Sequence, residues 1–429
     1  MFIDGRELID NDVLDDAAGV KVRAPRRYYA DPAGAFAAAA PMRLLVGPAP
    51  EPTLAEIDDI GSGLNRRDEL GATLAAAVRS GRVSLKDFRS ALDMGIGSVS
   101  DPAPELASFF ETMEATPDWV DWDLVERGAR ACRSYGQNAL DVLAYASLLG
   151  GYRFQAANNV LTASGGLTAA GALRRVGETT KWWVECVQQG GMARNADGFK
   201  LTAHVRLMHQ LVSLHFEEDP EWNHDDLGVP INAADTAATL SLFSTTFLIR
   251  IRQLGIYIPR SDSDAVMHLW RYIGWLLGVE DQWLPADEKS GYRTIYHLIL
   301  GQAPATDHCV ALAKALVKTV PANLEYRRAR GLRRRFQSFR ALSLGTYFNG
   351  WRPMIALGLL PVPPVLEVSR VPLNFILHNI VMNLPVAGKA VRNRAEQRLW
   401  KGLDLHFGMA DRSLGDLDSA KRGTHKLKL

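Results

Sequence analysis

The sequence predicts an all-α protein folded as a single large helical domain, and three observations support this class. Apolar residues three and four positions apart recur along most of the chain. Strand-like alternation of apolar and polar residues is scarce after about residue 50. Glycine, proline, serine, threonine and aspartate separate the periodic segments, as helix ends and turns require. With 429 residues and 47% hydrophobic content, the chain is long enough to bury a large core.

The composition excludes several classes of function. The 49 basic and 48 acidic side chains nearly cancel, so no overall field attracts nucleic acid, and we expect no nucleic-acid partner. Cys132, Cys186 and Cys309 lie far apart without CxxC spacing, which argues against disulfides and thiolate zinc sites. The sequence contains no GxGxxG at the start of a helix, no Walker lysine loop and no GxSxG, which removes the commonest nucleotide-binding and hydrolase functions.

The N-terminal sequence and the most apolar late stretch bear on where in the cell the protein is expected. The N-terminal MFIDGRELIDNDVLDD is acidic and has neither a basic nor an apolar signal region, so we expect a cytoplasmic protein. The most apolar late stretch, 354–368, is interrupted by Pro361, Pro363 and Pro364. We therefore expect no transmembrane segment, while peripheral membrane contact stays open.

The middle of the chain predicts a series of helices. A short one over YRFQAANNVLTAS precedes a long one, capped by Thr168, that contains GALRRVGETTKWWVECVQQ. Another is expected over 199–216. Asn232 can cap a helix that runs to Gly255, and Ser261 can cap the helix DSDAVMHLWRYIGWLLG.

Three histidines fall on the helix predicted over 199–216. His204, His209 and His215 are five and six positions apart, which does not place two of them together as a metal pair on one helix face. A cofactor held by a single protein ligand fits this spacing better. His209 is the best candidate because its helical flank suits a flat macrocycle; this flank consists of Val205, Val212 and Phe216. From the residues alone, a core histidine satisfied by a backbone carbonyl stays open.

A second group of polar residues lies in LRRVGETTKWW. Arg175 and Thr179 are four positions apart and Trp182 follows three later, so the three share one helical face. Fixed donors in a dry pocket stabilise a developing oxygen anion, which makes Arg175 and Thr179 candidates for a site that handles dioxygen. The alternative is an interhelical contact in which Arg175 pairs with a carboxylate and the tryptophans fill the core.

Four motifs in the same order resemble those of the latex-clearing-protein and rubber-oxygenase family, which includes an oxygenase of mycophenolic acid biosynthesis. They are PDWVDWDLVERG, RRVGETTKWW, VRLMHQLV and LWRYIGWLLGVEDQWLP, and together they span roughly 115–300. The resemblance implies a helical fold of globin-like general character around a buried pocket for haem b. It also implies cleavage of an isoprenoid double bond by dioxygen.

The resemblance implies specific roles for five residues of this chain. His209 is expected to be the axial metal ligand, and Arg175 and Thr179 the polar residues on the opposite side of the haem. Arg206 is expected near the haem edge, paired with a propionate. Glu178 stands where the rubber-cleaving members have a lysine. It is expected either to be the catalytic base or to pair at the surface with Arg174 or Lys181.

Two further departures from the family pattern affect the site. An arginine expected four residues after the axial histidine is Ser213 here, and the family's glutamate position falls near Asn158 or Asn159. Composition, periodicity and the resemblance together divide the chain into five parts: an irregular N-terminal arm over 1–50, an N-terminal helical region over 51–114, an oxygenase-like core over 115–345, C-terminal helices over 346–410, and a tail over 411–429.

We therefore expect a haem-dependent, oxygenase-like oxidoreductase that uses dioxygen on a hydrophobic, unsaturated small molecule, an isoprenoid or a lipid. The alternatives are a haem protein that stores or senses haem without catalysis, and a haem-free helical lipid-binding protein. A carboxylate and histidine pair of di-iron type, Glu221-x-x-His224, follows a proline in an expected loop and has no second copy, so we expect no metal there.

Overall fold

The all-α prediction is confirmed. The computed structural model describes residues 24–153, 160, 169–319, 330–407 and 417–421, together with four two-residue strands near the N-terminus. The strands form two antiparallel pairs, β1 (Phe2–Ile3) with β2 (Arg6–Glu7) and β3 (Leu14–Asp15) with β4 (Lys21–Val22). Elsewhere in the described residues the regular secondary structure is helical.

The helices follow one another with short connections. In chain order they are α1 (Pro32–Val46), α2 (Leu54–Gly63), α3 (Glu69–Ser80), α4 (Leu85–Met94), α5 (Pro104–Glu114), α6 (Trp122–Ser134), α7 (Gln137–Val142), α8 (Leu149–Gly151), α9 (Ala169–Cys186), α10 (Asp197–Glu217), α11 (His224–Leu227), α12 (Ala233–Phe243), α13 (Thr245–Gln253), α14 (Arg260–Leu276), α15 (Glu288–Leu300), α16 (Asp307–Thr319), α17 (Arg330–Asn349), α18 (Trp351–Ala356), α19 (Val365–Asn379), α20 (Pro385–Phe407) and α21 (Leu417–Lys421). A π-helical turn, Leu143–Leu148, joins α7 to α8. The 3-10 turns are Ile96–Ser98, Asp281–Trp283 and Val381–Asn383.

Side-chain caps start many of these helices, because the first N–H groups of a helix lack intrahelical partners. Thr53 and Glu56 form a capping box at α2, in which each side chain bonds the backbone of the other residue. The helix caps of this kind are Asp31, Thr53, Asp68, Ser84, Asp121, Asn223, Asn232 and Asp287. The predicted cap at Asn232 is thus confirmed, and its side chain accepts from Asp235 N.

Three expected helix boundaries were wrong. The helix expected to run from Asn232 to Gly255 breaks at Ser244, where α12 ends and α13 begins. Ser261 does not cap α14, because that helix already begins at Arg260. The Ser261 hydroxyl instead accepts from Arg127 Nη2 at 2.5 Å. α10 is three residues longer than expected and begins at Asp197.

Both segments expected to be irregular contain a helix. α1 lies within 1–50 because its run of alanines strongly favours helix and Asp31 caps it. α21 lies within 411–429, where Leu417 is buried and Asp418 pairs with Arg89 at 2.8 Å. Thr168, expected as a cap, and the short helix expected over YRFQAANNVLTAS fall on residues 152–168, of which only 152, 153 and 160 are described.

The core lies among the long helices. α14 packs along α6, and a Cβ at Gly128 would lie 2.3 Å from Ala265 O, so only glycine allows the two helices to approach this closely. Trp183, Trp270, Tyr272 and Tyr296 are among the largest fully buried side chains. In the described part of the chain, no helix is both long and apolar enough to cross a bilayer.

Candidate active site

The predicted site residues lie on two packed helices, α9 and α10. The Trp182 indole on α9 donates to the Thr202 hydroxyl on α10 at 3.0 Å, which shows that these faces meet. Arg175 lies seven residues before Trp182, and His209 lies seven residues after Thr202. Seven residues make nearly two helical turns, or about 10 Å. Because the chain turns back between α9 and α10, Arg175 and His209 both lie on the side of this contact that is away from the turn.

His209 is a half-buried, neutral imidazole. Burial lowers its pKa to about 4, although the nearby Asp68 carboxylate opposes the shift. Within the described part of the chain, neither ring nitrogen has a hydrogen-bond partner. The ring keeps some accessible surface because it lines a small pocket. The other residues that line this pocket are Asp68, Gln210, Ile231, Asn232, Ala233, Thr236, Leu277 and Gly278.

The other two histidines of α10 have different surroundings. His204 is half-buried and takes part in an interaction with another group. The His215 ring packs edge-on against the Phe216 ring, with 5.3 Å between the ring centres. A metal ligand needs a free lone pair on a neutral imidazole, and His209 provides one in a pocket.

The apolar flank of His209 divides between two groups of side chains. Val212 and Phe216 cluster with Val160, apart from the main core, and Met208, Trp222 and Ile231 pack against this cluster. Val205, which was expected on the same flank, packs against the main core instead. The expected flank of His209 thus contributes to two separate apolar clusters, one on each side of His209 along α10.

α9 carries a cation and a hydroxyl on the face that it shares with Trp182. Arg175 is half-buried, and burial lowers its pKa, while Glu178 and Tyr152 oppose the shift. The Thr179 hydroxyl has no partner among the described residues, whereas the neighbouring Thr180 hydroxyl donates to Val176 O at 2.6 Å. Thr179 is therefore available to a ligand and Thr180 is not.

Trp182 belongs to the core. Its ring meets Phe243 and Trp270 edge-on at 5.4 and 5.7 Å between ring centres, and Phe243 stacks on Trp270 at 5.4 Å. The alternative in which the tryptophans fill the core thus describes Trp182 well. Its role in the site is to fix how α9 faces α10.

Glu178 forms the surface ion pair that was one of its two expected roles. Arg174 Nε donates to Glu178 Oε1 at 2.8 Å, and the arginine side chain is about half exposed. The two residues are four positions apart on α9, the favourable spacing for a helical ion pair. Asn158 and Asn159 lie outside the described residues.

In the structure, Arg206 pairs with Asp68. The resemblance implies a haem propionate as its partner instead. Its Nε and Nη2 donate to the two carboxylate oxygens of Asp68, both at 2.7 Å, and Nη1 donates to Leu276 O at 3.1 Å. A Cβ at Gly278 would lie 2.7 Å from Asp68 Cγ, so this glycine allows the pair to fit. Arg206 thus links α10 to Asp68, the cap of α3, and to the end of α14. Ser213 donates to Glu217 Oε1 at 3.0 Å.

Sequence reasoning missed two half-buried arginines, Arg153 and Arg250. Burial lowers the pKa of both, and the charge of Arg153 lowers that of Arg250 further. Arg250 donates to Gln253 Oε1 at 2.9 Å, and the Arg153 side chain has no partner in the described part of the chain. Tyr152, the neighbour of Arg153, interacts electrostatically with Arg175, which places the two arginines near the site.

Only one of the missed residues had a signal in the sequence. Arg250 is a cation within the apolar run STTFLIRIRQL, where burial is expected. Asp68 had none, because its partner Arg206 is 138 positions away. In the di-iron-type motif Glu221-x-x-His224, both of these side chains are exposed. No group of three metal-ligating side chains occurs in the described residues.

Comparison with known proteins identifies the family. Residues 133–361 match the family described as "ER-bound oxygenase mpaB/B'/Rubber oxygenase, catalytic domain". A rubber oxygenase from Streptomyces sp. (strain K30) is 22% identical over 225 residues, which cover 51% of this chain and 55% of that protein. The chain thus spans about half the length of this curated relative.

The fold is also known from a solved structure, described as "Structure of Latex Clearing Protein LCP in the closed state". It aligns with a TM-score of 0.64 and 20% identity, over 82% of this chain and 94% of that one. At this identity the likeness concerns the fold alone. The family match covers more than half of the sequence and includes α9 and α10, so the chain belongs to the family of mpaB/B' and rubber-oxygenase catalytic domains.

Proposed function

We propose that this chain is a haem-dependent oxygenase that uses dioxygen on a hydrophobic, unsaturated substrate, an isoprenoid or a lipid. One observation carries the proposal: His209 is half-buried, neutral and without a hydrogen-bond partner in the described part of the chain, on the helix that packs against the helix of Arg175. Family membership supports the oxygen chemistry.

The residues present fit a haem b group. His209 would hold the iron through a ring nitrogen, and Val212 and Phe216 would contact the macrocycle. Arg153 and Arg250 are half-buried cations near each other without a carboxylate partner among the described residues, so two propionates would compensate their charge. When bound, the haem would supply the iron at which dioxygen is activated.

The chain's own residues would bind, orient and protect the reactants. Arg175 and Thr179 would donate hydrogen bonds to oxygen atoms on which negative charge develops. Burial strengthens these interactions, because few water molecules remain to screen them. The apolar clusters beside His209 would hold the hydrocarbon part of the substrate and exclude water.

The test is haem content, which does not depend on knowing the substrate. Freshly purified protein is expected to show a Soret band. His209→Ala should lose nearly all bound haem, while the matched variants His204→Ala and His215→Ala should retain it. Full haem in the His209 variant would reject the ligand assignment. A parent protein that cannot bind haem would favour the haem-free lipid-binding alternative.

The ion pair of Glu178 bears on the second candidate function, a haem-binding protein without catalysis, because the pair occupies the proposed base. We expect Glu178→Gln to keep haem and oxygen uptake, and to lose only about 0.5 kcal/mol of stability. A hundredfold or larger drop in turnover would instead make Glu178 the general base. If the haem-loaded parent shows no oxygen uptake with any unsaturated isoprenoid or lipid, the binding function is favoured.

A further inference from the structure

α19 is oriented with its polar side toward the protein. Glu367, Arg370, Asn374 and His378 follow one another at three- and four-residue intervals, which places them in one stripe of the helix. Glu367 is 0% exposed and Asn374 is 7% exposed. A helix on a protein surface ordinarily buries its apolar stripe, so this orientation is inverted.

Specific contacts hold the polar stripe against the body of the protein. Arg370 Nη1 donates to Asp141 at 2.9 Å, and Asn374 Nδ2 donates to Leu254 O at 3.1 Å. Glu367 accepts a hydrogen bond from the buried Ser343 hydroxyl. The rotation of α19 about its axis is therefore fixed by polar contacts, and its opposite side must face outward.

The outward side is apolar. Leu373 is 66% exposed and Ile376 is 50% exposed, although large apolar side chains are usually covered when they cluster. We call this surface the apolar face of α19; it consists of Val365, Val368, Leu373, Phe375, Ile376 and Ile380. The segments on either side of α19 add further large, exposed apolar side chains, namely Trp351, Ile355, Leu360, Leu384 and Val386.

The exposed charge of the segment that contains α19 has one sign. The exposed cations of 351–401 are Arg352, Lys389, Arg392, Arg394, Arg398 and Lys401. The same stretch contains only two carboxylates, the fully buried Glu367 and the half-buried Glu396. This excess is local, because the whole chain carries a net charge of only +1.

We propose that the apolar face of α19 binds the surface of an anionic lipid bilayer. Apolar side chains of an in-plane helix enter the boundary between headgroups and acyl chains, and neighbouring lysines and arginines contact acidic headgroups. The exposed Trp351 suits the same boundary region. A second copy of the chain is a poorer occupant, because a twofold contact through this face would bring two basic surfaces together.

The test measures binding of the full chain to sedimented vesicles of phosphatidylcholine, with and without phosphatidylserine. The face variant Val368→Ser, Leu373→Ser, Ile376→Ser is expected to bind at least tenfold more weakly to vesicles with phosphatidylserine. Its matched control, Leu44→Ser, Leu54→Ser, Met94→Ser, removes apolar residues that are at least as exposed on other helices and should bind normally. Equal losses in the two variants, or normal binding by the face variant, would overturn the proposal.

A second variant tests the charge. Lys389→Gln, Arg392→Gln, Arg394→Gln should weaken binding to vesicles with phosphatidylserine on the order of a hundredfold, and should barely change binding to neutral vesicles. Raising the salt concentration should have the same effect on the parent. A charge variant that binds as well as the parent contradicts the proposal. So does a stable dimer in solution that only the face variant dissociates, since a second copy would then cover the face.

Discussion

His209, Thr179 and Arg153 are half-buried, and their side chains have no partner in the described residues. Their polar groups are therefore open to a ligand that accepts from Thr179 and Arg153 and takes the lone pair of His209. The proposed haem and dioxygen would provide such groups.

The Thr179 hydroxyl provides a sharp prediction at this scale. Thr179→Val keeps the shape of the side chain but removes the donor, so turnover should fall on the order of a hundredfold while haem content is unchanged. The measurement is oxygen uptake with an unsaturated isoprenoid or lipid substrate, at equal haem loading. The matched control is Thr180→Val, which removes only a hydroxyl already bonded to Val176 O and should turn over normally. Equal rates for the two variants would contradict the role of Thr179.

How far the site could be predicted from sequence depended on where each partner lies in the chain. His209, Arg175 and Thr179 lie on two helices joined by a short connection, so their spacing and family motifs pointed to them. The pairing of Arg206 was missed because it depends on Asp68, on a third helix far away in sequence. Arg153 and Arg250 meet only in the folded chain, and no local pattern brings them together.

At the scale of helices, the apolar periodicity predicted which segments are helical better than it predicted where each helix begins and ends. The apolar pattern continues through Ser244 without a glycine or proline, so no local signal marked the break between α12 and α13. The Ser241 and Ser244 hydroxyls donate back to Ala237 O and Leu240 O at 3.0 and 3.1 Å. A serine hydroxyl that donates to the carbonyl four residues earlier can bend a helix. Because a serine in a helix can also point to solvent, the residue type alone does not predict the bend.

The ion pair of Arg206 with Asp68 should stabilise the packing of α10 against α3. Both side chains are less than a tenth exposed, so Arg206→Met leaves a buried carboxylate unpaired and should cost about 3–5 kcal/mol of unfolding free energy. Urea unfolding of the haem-free parent and variant measures this loss of unfolding free energy. The exposed pair of Arg26 and Asp226 is the control, and Arg26→Met should cost less than 1 kcal/mol. A small loss at Arg206 would reopen its expected place beside a propionate.

His378, on the polar stripe of α19, should make stability depend on pH. Burial lowers its pKa to about 4, below the ordinary value of 6.5, so protons favour the unfolded state. The stability that it contributes is complete above pH 6.5 and is lost as the pH falls toward 4. The loss between pH 7.5 and 4.5 should be about 2–3 kcal/mol smaller in His378→Asn than in the parent.

Urea unfolding at the two pH values measures this difference. His224 is exposed, so His224→Asn should lose as much stability on acidification as the parent does. If the two variants behave alike, His378 is not the group whose protonation destabilises the fold.

At the scale of the whole molecule, the site joins parts of the chain that are far apart in sequence. Asp68 precedes α3, Arg175 lies on α9, His209 on α10 and Arg250 on α13. The family match begins at residue 133 and therefore leaves out Asp68. The N-terminal helices thus contribute to the site although they lie outside the matched region, and the five-part division of the chain remains a prediction.

Because the site joins these helices, haem binding should stabilise the whole fold. A ligand that binds only the folded state adds about 2.7 kcal/mol at a hundredfold excess over its dissociation constant. Thermal unfolding of haem-free protein, with and without added haem, should therefore show a rise of a few degrees in Tm for the parent and for His215→Ala. His209→Ala should show almost no rise, because the proposed bond from His209 to the iron would supply much of the binding energy. An equal rise in all three proteins would mean that haem binds elsewhere, independently of the facing helices α9 and α10.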